Sequence, residues 1–226
     1  MPKNYYLGVD TETANGYMLE DGKLELKDSL VYDIGWAIVG KKGKVYKQRS
    51  FVVSEIFFDL SLMNSAYYAE KIPKYLEDID NGTRKVKSFI DIYWMFRRDC
   101  KKYNVKAIFA HNARFDWNAL NNTLRLLTGS KDRYFYPFGI ELWDTLKMAR
   151  DAIGSTEEYT EFCVKYGFVT KHKKPQNRLT AEVLWRYISN NIDFEESHTG
   201  LEDVMIEKEI FATCIKKKNV KRLLFE

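Results

Sequence analysis

The sequence predicts a mixed α/β domain, and three observations carry that expectation. Apolar β-type runs crowd the first quarter of the chain, with a polar Gly-containing turn between two of them. The middle alternates a short apolar run with an amphipathic stretch, and the last quarter carries helical spacing. Hairpin strands followed by strand–helix alternation make a sheet that begins antiparallel and continues parallel, flanked by helices.

The elements follow in order. Residues 5–9 read as a buried strand that finishes on two carboxylates, Asp10 and Glu12. Side chains alternate along a strand, so these two acids share a face. Residues 30–40 (LVYDIGWAIVG) and 45–53 (VYKQRSFVV) read as two more strands, with Lys41-Lys42-Gly43-Lys44 as the hairpin turn. Residues 55–84 mix helical and turn signals around Pro73 and Asn81-Gly82, and stand as a candidate insertion in an otherwise single 1–226 domain. Residues 86–103 carry Val86, Phe89, Ile90, Tyr93, Trp94 and Phe96 at helical spacing. Residues 106–110 form a short apolar strand, followed by a helix over about 114–127. Residues 140–143 read as a further strand, Asp144-Thr145 as a helix start, and 180–188 and 201–215 as helices.

Composition bounds the class. The 226 residues are 45% hydrophobic and 30% charged, with no apolar run near membrane-spanning length. Met1-Pro2-Lys3-Asn4 opens no signal-peptide pattern, so a cytoplasmic chain is expected. Cys100, Cys163 and Cys214 show no metal-type spacing and read as reduced thiols. The net charge of +4 accommodates a polyanion without requiring one. Lys171-His172-Lys173-Lys174, and Lys216-Lys217-Lys218 with Lys221-Arg222, read as solvated surface, the first alternatively as a phosphate-binding flank.

The informative residues are acids and histidines. Asp10-Thr11-Glu12 means little alone, because about one such triplet arises by chance, and Asp193-Phe194-Glu195 is another. Ala110-His-Asn-Ala-Arg-Phe-Asp116 follows a strand directly, at the sheet edge where ligands usually sit. There Asp116 falls in the first turn of a helix, a position that also suits simple capping of the helix dipole. Ser197-His-Thr-Gly-Leu-Glu-Asp203 opens another helix, and a five-residue offset across that junction lets His198 and Asp203 face one cavity. Glu202 points elsewhere and reads as solvent-exposed.

Together these pieces resemble the three exonuclease motifs of the DEDDh branch of the DnaQ-like 3′→5′ exonucleases, in the RNase H-like superfamily. Order and separation agree from Asp10 to Asp203. Thr199 stands where the related branch has tyrosine, which favours the histidine branch. Trp143-Asp144-Thr145-Leu146 is also similar to a segment common between the second and third motifs.

The resemblance implies an RNase H-like mixed sheet and a two-metal 3′→5′ exonuclease releasing nucleoside 5′-monophosphates. Four converging carboxylates independently demand cations, and hard oxygen donors suit two Mg²⁺ or Mn²⁺ ions. Asp10, Glu12, Asp116 and Asp203 are then the metal ligands, and His198 the general base. Thr11, Thr13, Asn112 and Phe115 match substrate-contact positions, although Phe115 suits core packing equally. Asp144 reads as a helix cap. The implied partner is the 3′ end of a nucleic acid, with a lean to single-stranded DNA. An RNA-trimming or oligoribonucleotide exonuclease, an RNase H-like endonuclease and a catalytically silent nucleic-acid-binding scaffold stay open. So does a polymerase or homodimer partner.

Overall fold

The computed structural model describes residues 4–14, 17–18, 24–25, 27–63, 66, 69–171, 173–196, 198–217 and 220–225. His172, Ser197 and Lys218 of the sequence motifs lie outside the described residues.

Chain order is β1 (Tyr5–Ala14), the short pair β2 (Tyr17–Met18) and β3 (Leu24–Glu25), β4 (Leu30–Gly40) and β5 (Val45–Val53). Then come α1 (Ser54–Phe57), α2 (Leu60–Met63), a 3₁₀ turn at Ala69–Lys71 and α3 (Ile72–Asp80). The remainder runs β6 (Val86–Lys87), α4 (Phe89–Lys102), β7 (Val105–Ala110), α5 (Arg114–Thr128) and β8 (Glu141–Asp144). Last are α6 (Thr145–Ala149), α7 (Glu157–Tyr166), α8 (Ala181–Ser189) and α9 (Gly200–Cys214). The main sheet has strand order β6-β5-β4-β1-β7-β8. β1, β4 and β5 form the antiparallel meander, while β7 and β8 extend it in parallel. Gly43 turns the β4–β5 hairpin at φ 77°, a left-handed conformation that suits glycine.

Two boundaries differ from the sequence reading. β1 runs to Ala14, so Asp10 and Glu12 lie within a strand rather than at its end, because β4 keeps pairing with it through Ala14↔Leu30. Residues 86–87 are a strand beside β5, and Ser88 starts α4 by accepting the Asp91 N–H at 3.2 Å. The apolar spacing alone began the helix three residues too early.

The pleat sends Leu7 and Val9 into the core under α4 and α5, and Tyr6 into the core under α9. On that second face Phe109 and Phe211 stack with centroids 4.2 Å apart. Each fully buried Leu, Ile or Phe contributes about 1.5–3 kcal/mol. Tyr75 of α3 donates to Asp33 at 2.6 Å and Arg84 to the same carboxylate at 3.2 Å, tying residues 72–84 to β4. Among the described residues no helix is long and apolar enough to cross a membrane.

Candidate active site

β1 continues where its parallel neighbour leaves it. Pairing with β7 ends at Gly8↔Phe109, while pairing with β4 carries on through Asp10↔Gly35 and Glu12↔Asp33. After β7 the chain turns at His111-Asn112, with Asn112 at φ 61°, and enters α5. The result is a crevice beside the later part of β1, beyond the carboxyl end of its parallel neighbour β7, and the carboxyl-end side of an open α/β sheet is where ligands bind.

That crevice is a cavity of about 490 Å³. Asp10, Thr11, Glu12, Asn112, Phe115, Asp116, His198 and Asp203 all line it. Thr13, the remaining residue the sequence singled out, does not. It is buried past a register shift between Glu12 and Thr13, two residues farther along the strand than Thr11.

Each element aims its acid for a local reason. Asp10 and Glu12 share the α9 face of β1 by alternation. Asp116 reaches in from the other face, in the first turn of α5, and accepts the Thr11 hydroxyl at 2.9 Å. Asp203 sits in the first turn of α9, which lies close against the sheet because two glycines permit it. A Cβ on Gly35 would fall 2.2 Å from the Leu201 nitrogen, and one on Gly200 would fall 2.6 Å from the Gly35 nitrogen. The Gly200 N–H donates to Asp33 at 3.2 Å, fixing the helix start. His198 precedes it at φ 52°, its backbone N–H turned to the Asp203 carboxylate.

The electrostatics of the cavity are severe. Burial, then Asp203 and Asp33, push Glu12 up to about 9. Burial and the Glu196 charge push Asp203 up to about 8, against a pull from Lys71. Asp116 rises to about 7 from burial, with the Thr11 hydrogen bond opposing. Asp10 is raised well above the carboxylate range by burial and then by Glu207, Asp116, Glu12 and Asp203. Burial and Lys71 lower His198, which favours a neutral imidazole.

Three members of the site were not foreseen. Glu207 lines the cavity 3% exposed, one turn beyond Asp203, and accepts the His111 N–H at 3.0 Å. Its signal was present: a carboxylate four residues after Asp203, among Val204, Ile206 and Ile210 on a buried face. Glu196 also lines the cavity, with an oxygen 3.9 Å from the His198 Nδ1. Lys71 comes from the 3₁₀ turn, and its charge reaches Glu12 and Asp203. Neither of these two had a sequence signal. His111 serves the frame, its ring nitrogens bound to the Thr145 hydroxyl at 3.1 Å and the Leu179 carbonyl at 2.7 Å. Asp144 caps α6 by accepting the Leu146 N–H at 2.9 Å, and accepts the Asn112 N–H at 3.1 Å. Glu202 is exposed, as expected.

The donor set fits a divalent cation. Glu12, His198 and Asp203 place ligand atoms within 4.8 Å of one another. Asp203 Oδ1 and Glu207 Oε2 are buried without a hydrogen-bond partner among the described residues, as oxygens awaiting a cation would be.

No family model matches the chain, and no curated protein matches its sequence. Solved structures do match. Cell-death related nuclease 4 aligns over 98% of this chain and 66% of its own, at 12% identity and a TM-score of 0.55. The zinc-bound E. coli ExoI–ssDNA complex aligns over 96% of this chain and 41% of its own, at 15% identity and a TM-score of 0.54. Exonuclease X in complex with 5′-overhanging duplex DNA aligns over 96% of this chain and 94% of its own, at 16% identity and a TM-score of 0.45. The chain thus spans less than two thirds of the first two. Their likeness establishes the fold: a mixed sheet of the RNase H-like kind, antiparallel and then parallel, flanked by helices.

Proposed function

We propose that this chain is a divalent-metal-dependent 3′→5′ exonuclease that releases nucleoside 5′-monophosphates from single-stranded DNA. One observation carries the reading. Asp10, Glu12, Asp116, Asp203 and His198, drawn from three distant segments, line a single cavity in which buried carboxylate oxygens lack partners among the described residues. The family resemblance of the three motifs supports it, as does the fold shared with proteins named as nucleases.

Asp10, Glu12, Asp116 and Asp203 would hold the cations, Asp10 being close enough to the other three to feel each of their charges. Two Mg²⁺ or Mn²⁺ ions bound there would neutralise the carboxylates and phosphate and make water nucleophilic near neutral pH. His198 stands beside Glu12 and Asp203, and its lowered pKa favours the neutral imidazole that would accept the proton of the attacking water. The water oxygen forms the new bond to phosphorus, and the bond from phosphorus to the 3′-oxygen of the penultimate nucleotide breaks. Thr11 holds Asp116 in place through its hydroxyl. The backbone after Asp10 receives the terminal 3′-OH, and Asn112 and Phe115 meet the terminal nucleotide.

The test is a gel-resolved time course on 5′-labelled DNA and RNA strands of one sequence, in Mg²⁺ and in Mn²⁺, with Asp203→Ala as blank. A ladder shortening one nucleotide at a time from the 3′ end is the expected outcome, faster on DNA. A faster RNA ladder would make the chain an exoribonuclease. Internal fragments would point to an endonuclease, and strands intact in every lane to a binding scaffold.

A further inference from the structure

A second cavity, of about 910 Å³, lies along α5 from the candidate active site. The two flank the first turn of α5: Phe115 and Asp116 line the acidic cavity, and the next residue, Trp117, lines the second. Tyr136 also lines the second, with its hydroxyl close enough to Asp116 to feel that charge.

The walls of this cavity are aromatic and basic. Trp117, Tyr134, Phe138 and Phe225 supply rings, and Arg97, Lys131 and Arg133 supply positive charge against one acid, Asp132, among the described lining residues. Tyr134 is 64% exposed, Phe225 57% and Phe138 104%, so the rings stand in solvent rather than in the core. Trp117 lies 5.2 Å from Phe225 and 6.2 Å from Tyr134, centroid to centroid, and Arg114 sits over the Phe225 ring at 5.6 Å.

The display is anchored. Between Tyr134 and Phe138 the same loop sinks Phe135 into the core, where it packs on Phe89 and Phe96. The Phe135 N–H donates to Asn121 at 2.8 Å, and its carbonyl accepts from Arg97 at 3.1 Å. Clustered apolar surface on an anchored loop marks an interaction site. Its three cations to one acid favour an anion that also presents flat apolar faces, the chemistry of a single nucleic-acid strand: bases stack on rings while phosphates meet Arg and Lys.

We infer that this cavity holds the body of a single-stranded nucleic acid whose 3′ end enters the acidic site, stacking bases several nucleotides upstream. The inference rests on the exonuclease reading for the direction of the strand.

The experiment compares wild type with Tyr134→Ala/Phe138→Ala and with Arg133→Gln. Both variants change exposed side chains, and a thermal melt checks that each is folded. Binding is read by anisotropy of a labelled strand of about 20 nucleotides in Ca²⁺, and turnover by kcat/KM on that strand and on a dinucleotide. The expected result is a loss of long-strand affinity of about ten-fold or more for the aromatic double variant. For Arg133→Gln the salt dependence should be shallower by about one unit of log–log slope. Dinucleotide turnover should be unchanged in both variants. Equal long-strand affinity in wild type and the double variant would overturn the inference. So would a fall in solution mass from dimer to monomer in that variant, which would assign the surface to a second copy. The binding arm needs no turnover, so a chain that binds through these rings and never cleaves would sink the exonuclease reading alone.

Discussion

Asp99 and Asp10 are both acids set against the central sheet, and their surroundings differ in what meets the charge. Asp99, on α4, accepts the Trp36 indole at 3.2 Å and the Arg49 guanidinium at 2.7 Å, with the Lys47 ammonium at 3.4 Å. Asp10 is surrounded by Glu12, Asp116, Asp203 and Glu207, and every one of them raises its pKa. Asp33 stands between the two cases: Arg84, Tyr75 and Gly200 support one oxygen, while the other, Oδ1, has no side-chain hydrogen-bond partner among the described residues. A buried acid with its own cation and donors is part of the frame. A cluster that shares one cavity and leaves oxygens unpartnered lowers the stability of the metal-free fold, and is coherent only with a ligand of opposite charge.

Exchanging charge for amide in each region breaks the comparison most sharply. If the proposed function holds, Asp10→Asn should reduce exonuclease turnover about a thousand-fold or more, since it would remove a cation ligand worth several kcal/mol at the transition state. The same change should raise the melting temperature of the metal-free protein at pH 8, because one repelling carboxylate is gone. A drop in that temperature would mean Asp10 belongs with Asp99. Next in size, Asp99→Asn should cost about 3–5 kcal/mol in denaturant unfolding by stranding Arg49 and Lys47, with turnover per folded molecule retained. Lost turnover with unchanged stability would reverse the assignment.

The smallest effect is graded and appears as a function of pH. Glu12, Asp203 and Asp116 sit at about 9, 8 and 7 in the folded metal-free chain. Unfolded carboxyls titrate near 4, so over the interval between, the folded state binds more protons than the unfolded one. Stability from these groups is therefore full below about pH 4 and falls as pH rises through the 7–9 range. Melting temperatures of chelator-treated protein should decline across that interval, and added Mn²⁺ should restore them increasingly as pH rises. A flat profile in chelator, or a Mn²⁺ effect independent of pH, would show that these carboxylates do not titrate as a cluster.

Much of the molecule was legible in the chain. The meander of β1, β4 and β5, the Gly43 hairpin and helices α5, α8 and α9 follow from apolar period, turn chemistry and caps, which are local properties. Asp10, Glu12, Asp116, His198 and Asp203 could be named because each sits in a short motif, at the end of an apolar run for the first two and at a loop-to-helix junction for the others. Ser88 shows where pattern reading fails: Val86 continues the helical spacing, but its backbone pairs with Val52 across the sheet.

The sequence by itself determined which groups are candidates for the chemistry and on which elements they lie, since alternation along β1 and position in the first turns of α5 and α9 are set by neighbours in the chain. Only the tertiary structure decided that they meet. The crevice exists because β7 leaves β1 at Gly8 while β4 holds it to Ala14, and α9 reaches the crevice because Gly35 and Gly200 let backbone rest on backbone. The same long-range packing brought in Glu196 and Lys71 and kept Thr13 out. Those outcomes depend on distances between residues far apart in sequence, which no local pattern encodes.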